Sequence, residues 1–191
     1  MKQFIICPNC GAIELATIEE TVPFWSYIHN CTKCEYIIME SDWEIAKAIS
    51  IKQPWTYLIA TGIKPIEKRT WKTKFRGRIL LHAGAKPMRM YDPSDIFTRE
   101  QWESLNNYQR ICVRSQSGQN SNSAIIGSVE IVDCVQNHPS IWAEKSELII
   151  DENKVCQLPK IYNWVLKDPI LFEKPVLNVK GKLSFFIPQL L

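Results

Sequence analysis

The sequence predicts an α+β protein built on a small β-barrel, with a separate small β unit before it. Short strand-like and helical segments follow one another without the regular alternation of a parallel α/β fold. Four of the seven cysteines lie in two close pairs near the start of the chain. A length of 191 residues suits one medium domain with a small appendage. We place the boundary so that the two parts are residues 1–44 and 45–191.

The first part contains two cysteine pairs, CPNC and CTKC, separated by twenty residues. This spacing is typical of a zinc site, in which two tight turns each supply two thiolates to one tetrahedral ion. Segments 12–20 and 23–30 are predicted to form the strands of a zinc ribbon. Because four thiolates fill the coordination shell, we expect the zinc to be structural; disulfides or unliganded thiols are the alternatives. The predicted ligands are Cys7, Cys10, Cys31 and Cys34.

The net charge of +3 is distributed unevenly along the chain. Residues 1–44 carry −5, residues 45–86 carry +9 and residues 87–191 carry −1. Concentrated positive charge favours a polyanionic partner, nucleic acid first, although a solvated Lys and Arg surface would have the same composition. We therefore expect the acidic first part to contact protein or to stabilise the fold.

The sequence offers no sign of a membrane segment or a secretion signal. No apolar run approaches the roughly 18 residues that a membrane helix needs. The N-terminus, MKQFIICPNCG, lacks the apolar core and cleavage site of a signal peptide. We therefore expect a cytoplasmic or nuclear protein with no membrane partner.

The first half of the second part is predicted to contain three strands and one short helix. The strands cover segments 48–51, 64–71 and 77–83. The helix lies between the first two, because Pro54 suits a first helical turn and Gly62 suits a helix exit.

The second half is predicted to contain one helix and several strands. Residues 98–113 form the helix, which Thr98 and Gln101 begin with a capping box. Residues 124–137 form a long strand with a possible bulge at Gly127. The tail, residues 161–186, is predicted to form two or three short strands broken by Pro169, Pro175 and Gly181.

Four stretches within residues 48–186 occur in an order that resembles the ASCH domain of the PUA-like superfamily. They are SIKQPWTYLIATGIKPIEKRTW, RGRILLHAGAK, IIGSVEIVDCV and NWVLKDPILFEKPVLNVKGKLSFF. The resemblance implies a five- or six-stranded PUA-like β-barrel with rim helices and a cleft associated with RNA or modified-nucleoside binding. Some small bacterial members are similar to amidohydrolases that deacetylate N4-acetylcytidine. A zinc ribbon in front resembles the architecture of certain bacterial or phage members.

Glu67 is the single acidic residue among nine Lys and Arg in residues 50–86. In the predicted strand, Glu67, Arg69 and Trp71 share one face. A carboxylate accepts hydrogen bonds from a base amine, an indole stacks on a base, and a guanidinium holds the carboxylate or a phosphate. We expect these three to form a base-recognition pocket; the alternatives are a plain ion pair and a core tryptophan. The other predicted ligand-binding residues are basic: Lys52, Lys64, Lys74, Arg76, Arg78 and Lys86.

The resemblance also implies a catalytic alternative. The family's amidohydrolases use a lysine, a threonine three residues later and a distant glutamate. Lys64 matches the lysine, but Glu67 occupies the position of the threonine, and a carboxylate cannot replace a hydroxyl nucleophile without changing the chemistry. We therefore rank binding of nucleic acid, RNA in particular, or of a modified nucleotide first. An amidohydrolase acting through Lys64 and Glu67 is second, and a protein-interaction module using the acidic ribbon is third.

Overall fold

The computed structural model describes residues 2–17, 28–115, 122–146, 148–151, 154–157 and 160–189. The N-terminal unit contains β1 (Lys2–Ile6), β2 (Ile13–Thr17), β3 (Ile28–Asn30), β4 (Ile37–Met39) and β5 (Glu44–Ile45). β2, β1 and β5 form one sheet in that order, and β3 pairs with β4. The predicted strand over 12–20 corresponds to β2, whereas residues 18–27, with most of the second predicted strand, lie outside the described residues. β1, β4 and β5 were not predicted, and β5 straddles the predicted boundary.

The second part is built on a six-stranded sheet that curls into a half-barrel. Its strands are β6 (Ala48–Ile51), β7 (Ile66–Arg69), β8 (Gly77–Ala83), β9 (Ala124–Val135), β12 (Tyr162–Val176) and β13 (Phe185–Phe186). A separate hairpin joins β10 (Leu148–Asp151) and β11 (Lys154–Gln157). The order of the large sheet is β13-β6-β8-β9-β12-β7, in which β6 and β8 run parallel and the other neighbours antiparallel. The α+β class with a small curled sheet is thus confirmed.

Three helices flank this sheet. α1 (Trp55–Ala60) follows β6 as predicted, and α2 (Arg99–Glu103) begins with the predicted Thr98–Gln101 capping box. The prediction of one helix over 98–113 is wrong, because α3 (Asn107–Ser115) starts separately. The reason is a second reciprocal pair: Asn106 Oδ1 accepts from the Gln109 amide at 2.9 Å, and Gln109 Oε1 accepts from the Asn106 amide at 2.8 Å. Among the described residues, no helix is long and apolar enough to cross a membrane.

The tail differs from its prediction because β12 continues through both prolines. Pairing with β9 shifts register between Lys167 and Ile170 and again between Leu171 and Val176. Pro169 and Pro175 fall inside these irregular stretches, where their missing N–H groups cost no ladder hydrogen bond. The expected irregularity at Gly127 is confirmed, since β8 and β9 shift register beside it. A Cβ at Gly127 would lie 2.3 Å from the carbonyl oxygen of Ile170, so only glycine allows this close approach.

The N-terminal unit packs directly on the half-barrel. Phe4 is buried in one apolar cluster with Leu80 of β8 and Ile125 of β9. The Ala46 amide donates to the Phe4 carbonyl at 3.0 Å, and the Leu80 amide donates to the Lys47 carbonyl at 2.8 Å. Backbone hydrogen bonds therefore join the connecting residues 46 and 47 to both parts of the protein.

Candidate functional site

The four cysteine sulfurs of the N-terminal unit converge on one point. Cys7 Sγ lies 3.7 Å from Cys34 Sγ, and Cys10 Sγ lies 3.6 Å from Cys31 Sγ. All four lie within 4.8 Å of one another, and none is in a disulfide. Tetrahedral Zn–S bonds of about 2.3 Å separate the sulfurs by about 3.8 Å, so the cluster fits one such ion. The four cysteines could therefore hold a metal ion, as the spacing predicts.

The protein environment shifts the pKa values of Cys31 and Cys34 in opposite directions. The side-chain amide of Asn9 donates to Cys34 Sγ at 3.5 Å, which is the main reason that the pKa of Cys34 is lowered to about 6. Burial raises the pKa of Cys31 to about 12. A metal ion at this cluster therefore has to displace a proton from Cys31, as thiolate ligation generally requires.

Two matching turns present these cysteines. The Gly11 amide donates to the Cys7 carbonyl at 2.9 Å, and the Glu35 amide donates to the Cys31 carbonyl at 2.8 Å. Both residues have left-handed backbones, with φ of 69° at Gly11 and 60° at Glu35. A glycine adopts this conformation without steric cost, whereas Glu35 does not.

The largest cavity near the predicted site opens where β6 and β8 end. Because these strands are parallel, their carboxyl ends meet at one edge of the sheet. Lys52 directly follows β6, Lys86 lies three residues after β8, and the Gly84 amide bonds to the Ile51 carbonyl at 2.9 Å. These residues, with Arg69 from β7 and Trp55 from α1, line a cavity of about 430 Å³, which we call the outer cavity.

Glu67 forms part of the wall of this cavity and is itself buried, with 7% of its surface exposed. Its Oε2 lies 3.2 Å from Lys64 Nζ, and its Oε1 lies 3.1 Å from Arg69 Nε. The Arg69 Nε–H has no hydrogen-bond acceptor in suitable geometry, so this contact is ionic. Arg69 Nη2 instead donates to the Ser50 carbonyl at 2.8 Å. One carboxylate is thus held between two cations.

A second cavity of about 220 Å³, the inner cavity, is also lined by Glu67. Trp55 and Glu67 line both cavities, so the two adjoin. Trp142 lies 6.4 Å from Trp55, centroid to centroid, at an interplanar angle of 74°. The remaining lining residues of the inner cavity are Lys64, Lys68, Ile96 and Gln101. The inner cavity is therefore walled by indoles and carries the Lys64–Glu67 pair. We call the two cavities together the Glu67 cleft.

Lys64 has an unusual electrostatic setting. Burial lowers its pKa, and the opposing attraction of Glu67 is smaller than this effect. Its Nζ also donates to the carbonyl oxygen of Ile66. The ammonium is therefore only partly stabilised by its single carboxylate.

The structure brings five of the predicted ligand-binding residues to the Glu67 cleft: Lys52, Lys64, Glu67, Arg69 and Lys86. Trp71 does not join them. β7 ends at Arg69, and the Trp71 ring packs edge-on against Trp164 at 4.6 Å and Phe185 at 5.5 Å. The predicted shared face extended the strand by two residues too many.

Lys74, Arg76 and Arg78 do not line the two cavities either. Arg76 pairs with Asp133 at 2.8 Å, and Arg78 donates to the carbonyl oxygen of Asp168 at 3.0 Å. Arg78 stands at the start of β8, six residues before Gly84, which at about 3.3 Å per residue is about 20 Å away. The positive window of the sequence is therefore spread over both ends of the sheet.

Sequence reasoning missed two kinds of residue at the cleft. Trp55 lines both cavities while packing against Phe97 at 4.9 Å. Its position at the start of the helix that follows β6 was the available signal. Leu183 reaches the outer cavity from the far end of the chain, and no local pattern pointed to it.

The ASCH domain family model matches residues 49–176, more than half of the chain. The chain belongs to the ASCH domain family. Activating signal cointegrator 1 of Homo sapiens is 25% identical over 147 residues, covering 71% of this chain and 22% of that protein. Its Mus musculus counterpart is 24% identical over 147 residues, with the same coverage. The chain thus spans about a fifth of the length of the curated relatives it matches. Within the matched ASCH segment lie the residues of the Glu67 cleft except Leu183.

Proposed function

We propose that the ASCH domain of this chain binds single-stranded RNA, or a nucleotide, in the Glu67 cleft. The observation that carries the proposal is the position of Glu67, buried between Lys64 and Arg69 in the wall shared by two adjoining cavities. The outer cavity carries Lys52 and Lys86, and the inner cavity carries two indoles and two lysines that are both paired with carboxylates. This division matches the two chemical parts of a nucleotide, a phosphate and a base.

The outer cavity supplies the phosphate contacts. Lys52, Arg69 and Lys86 line it, and Glu67 is the single acidic residue that the structure describes in its lining. Among the described residues, Lys52 and Lys86 are exposed and neither pairs with a carboxylate. Their charges are therefore available to a ligand, and a guanidinium can bind phosphate with two parallel hydrogen bonds.

The inner cavity supplies the base contacts. The half-buried Trp55 offers aromatic surface beside the buried Trp142, and stacking on such a surface contributes about 1–3 kcal/mol per base. The Glu67 carboxylate accepts a hydrogen bond from an exocyclic amine, which cytosine and adenine carry and uracil lacks. The cleft should therefore prefer amine-bearing bases.

The decisive experiment compares two double charge reversals within the same basic window. Lys52→Glu with Lys86→Glu alters the outer cavity, whereas Lys72→Glu with Lys74→Glu makes the same charge change at exposed residues outside both cavities. Binding to a single-stranded RNA oligonucleotide, measured by fluorescence anisotropy at several salt concentrations, should fall strongly only for the first pair. Equal losses would mean that binding is a diffuse charge effect and not a property of the cleft.

Glu67→Gln tests the base-recognition part. It should weaken binding to a cytidine-rich oligonucleotide by roughly 1–3 kcal/mol and binding to a uridine-rich one by little. Because Glu67 is buried against Lys64, the variant will also be less stable, so the ratio of the two affinities is the readout. An unchanged ratio would return Glu67 to a scaffolding role.

An amidohydrolase is the second candidate, favoured by the lowered pKa of Lys64. Against it, the lining of the inner cavity contains no Ser or Thr among the described residues. Release of acetate from N4-acetylcytidine that is lost in Lys64→Met but kept in Lys72→Met, at an exposed residue outside both cavities, would support the enzyme. No release by the unaltered chain would eliminate this activity.

For the ribbon we propose a structural zinc ion and a contact with a partner protein. We also propose that the protein is cytoplasmic. Ile28, Ile37 and Met39 are exposed on the β3–β4 hairpin, and Ile28 stands opposite Met39. Replacing Ile37 and Met39 with Ser should leave RNA affinity unchanged. A fall in RNA affinity would place the ribbon in the RNA site instead.

A further inference from the structure

A third cavity, of about 360 Å³, adjoins the outer cavity of the Glu67 cleft. The two share Ser50, Gly84, Ala85 and Leu183 in their linings. The segment 177–184, LNVKGKLS, which we call the KGKL loop, contributes residues 180–183 to the lining of the third cavity. This loop lies after the end of the family match at residue 176 and outside the basic window of the sequence.

Hydrogen bonds that join Val179 to Ser123 and His82 hold the KGKL loop in place. Val179 is buried, its amide donates to the Ser123 carbonyl at 2.8 Å, and its carbonyl oxygen lies 2.9 Å from His82 Nε2. Because a carbonyl only accepts, Nε2 carries the proton, and Nδ1 accepts from the Ser50 hydroxyl at 3.0 Å. The loop is therefore anchored to the strand ends that form the outer cavity.

Glycine at position 181 makes this close packing possible. A Cβ there would lie 2.5 Å from His82 Cε1 and 2.6 Å from Ser50 Oγ. Asn178 and Ser184, near the two ends of the loop, have φ of 61° and 62°. The backbone of the loop is therefore closely packed and strained. The side chains on either side of Gly181 are exposed.

Those side chains are two lysines and a leucine. Lys180 and Lys182 line the third cavity, are exposed, and pair with no carboxylate among the described residues. Within the described part of the chain, the lining of this cavity contains no Asp or Glu. Leu183 is 96% exposed and lines both the outer and the third cavity, so it stands at their boundary.

We propose that the KGKL loop is a second phosphate-binding element that extends the Glu67 cleft along a single-stranded nucleic acid. A strand with one nucleotide in the outer cavity passes Leu183 and enters the third cavity, where Lys180 and Lys182 bind its following phosphates. Lysines suit this role because they attract phosphates as mobile point charges without reading sequence. An apolar side chain at the boundary can separate successive bases, as apolar wedges do in other complexes. The inference rests on the proposed function of the cleft.

The test compares ligands of different length on the full chain. Lys180→Gln with Lys182→Gln should reduce affinity for a single-stranded RNA oligonucleotide by about tenfold or more at low salt. If both phosphate contacts are lost, the salt slope should become shallower by about 1.4, at about 0.7 per phosphate on a single strand. Affinity for cytidine monophosphate, which occupies the Glu67 cleft alone, should not change. Lys145→Gln with Lys160→Gln removes the same charge from exposed residues that line none of the three cavities, and should leave both affinities unchanged.

Each outcome separates this inference from the proposal on which it rests. If the unaltered chain binds RNA through Lys52 and Lys86 but the Lys180 and Lys182 variant binds equally well, the KGKL loop has no part in binding and the inference fails alone. Equal losses in the Lys180/Lys182 and Lys145/Lys160 variants would also overturn it. If the unaltered chain binds neither ligand, the function of the cleft and the extension fail together.

Discussion

Arg69 Nη2 donates a 2.8 Å hydrogen bond to the carbonyl oxygen of Ser50 and so ties β7, an edge strand of the sheet, to β6 near the opposite edge. The same guanidinium places Nε 3.1 Å from Glu67 Oε1. One side chain therefore helps to close the half-barrel and to hold the carboxylate of the cleft. The shape of the sheet and the chemistry of the site depend on the same residue.

Arg69→Lys should show that these two roles depend on the shape of the guanidinium and not only on its positive charge. A lysine keeps the charge but cannot reach the Ser50 carbonyl and Glu67 with two arms of one rigid group. We expect the free energy of unfolding to fall by about 1–3 kcal/mol and RNA affinity to fall with it. Urea unfolding and anisotropy measure the two effects. Arg76→Lys is the matched control, because its exposed pair with Asp133 contributes only about 0–1 kcal/mol; equal effects of the two variants would contradict the bridging role.

The chain should retain about one zinc ion, bound by the cysteine cluster, after purification without chelator. Cys31→Ser should lose the metal, whereas Cys112→Ser, outside the cluster, should keep it. Because Phe4 packs with Leu80 and Ile125, metal loss should also lower the thermal stability of the half-barrel. Metal analysis and thermal unfolding check both statements. A metal-free chain with an intact ribbon would refute the structural role.

Glu35→Gly should stabilise the ribbon. Glu35 occupies the turn position that Gly11 occupies in the other cysteine pair, with φ of 60° against 69°. Relief of the left-handed strain should raise the free energy of unfolding by up to about 1 kcal/mol. Glu35→Ala keeps the strain and removes the same carboxylate, so it should give no gain. A gain from both variants would attribute the effect to charge.

His82 should make the fold sensitive to mild acid. Burial lowers its pKa, and the hydrogen bond with the Val179 carbonyl opposes this less strongly. Below the unfolded-chain value of about 6.5, the unfolded chain binds a proton that the folded chain does not yet bind. The free energy of unfolding should therefore decrease as pH falls below about 6.5. Urea unfolding at several pH values should show a shallower decrease in His82→Gln; a slope that persists unchanged in this variant would exclude His82 as its source.

Much of the fold could be predicted because several elements are marked locally. The apolar runs at 48–51 and 77–83 became β6 and β8 with the predicted bounds. The single helix over 98–113 failed because the second capping pair, Asn106 and Gln109, was overlooked, although its spacing is visible in the sequence. The long β12 could not be predicted, because two prolines normally end a strand and the register shifts that accommodate them depend on β9.

The site was predictable only where its residues are close in sequence. Lys64, Glu67 and Arg69 meet because of their spacing around β7. The burial of the ion pairs at Glu67, which is 7% exposed, could not be predicted from their spacing. The charge of residues 45–86 placed Lys52 and Arg78 in one predicted basic patch. In the structure, the extended strand β8 separates the two ends of this window. The charge pattern could not join Lys180 to Lys52, because more than a hundred residues separate them and the sheet alone brings their strand ends together.

The packing of Phe4 has a consequence for how the chain can be divided. The segment that matches the family, residues 49–176, contains Leu80 and Ile125 but not Phe4, Val179 or Phe186, which complete the same cluster. An isolated piece with those bounds would expose an apolar face on one side of its sheet and would lose strand β13 at its edge. The apolar cluster of the half-barrel therefore extends beyond the limits of the family match, and the ribbon contributes Phe4 to it.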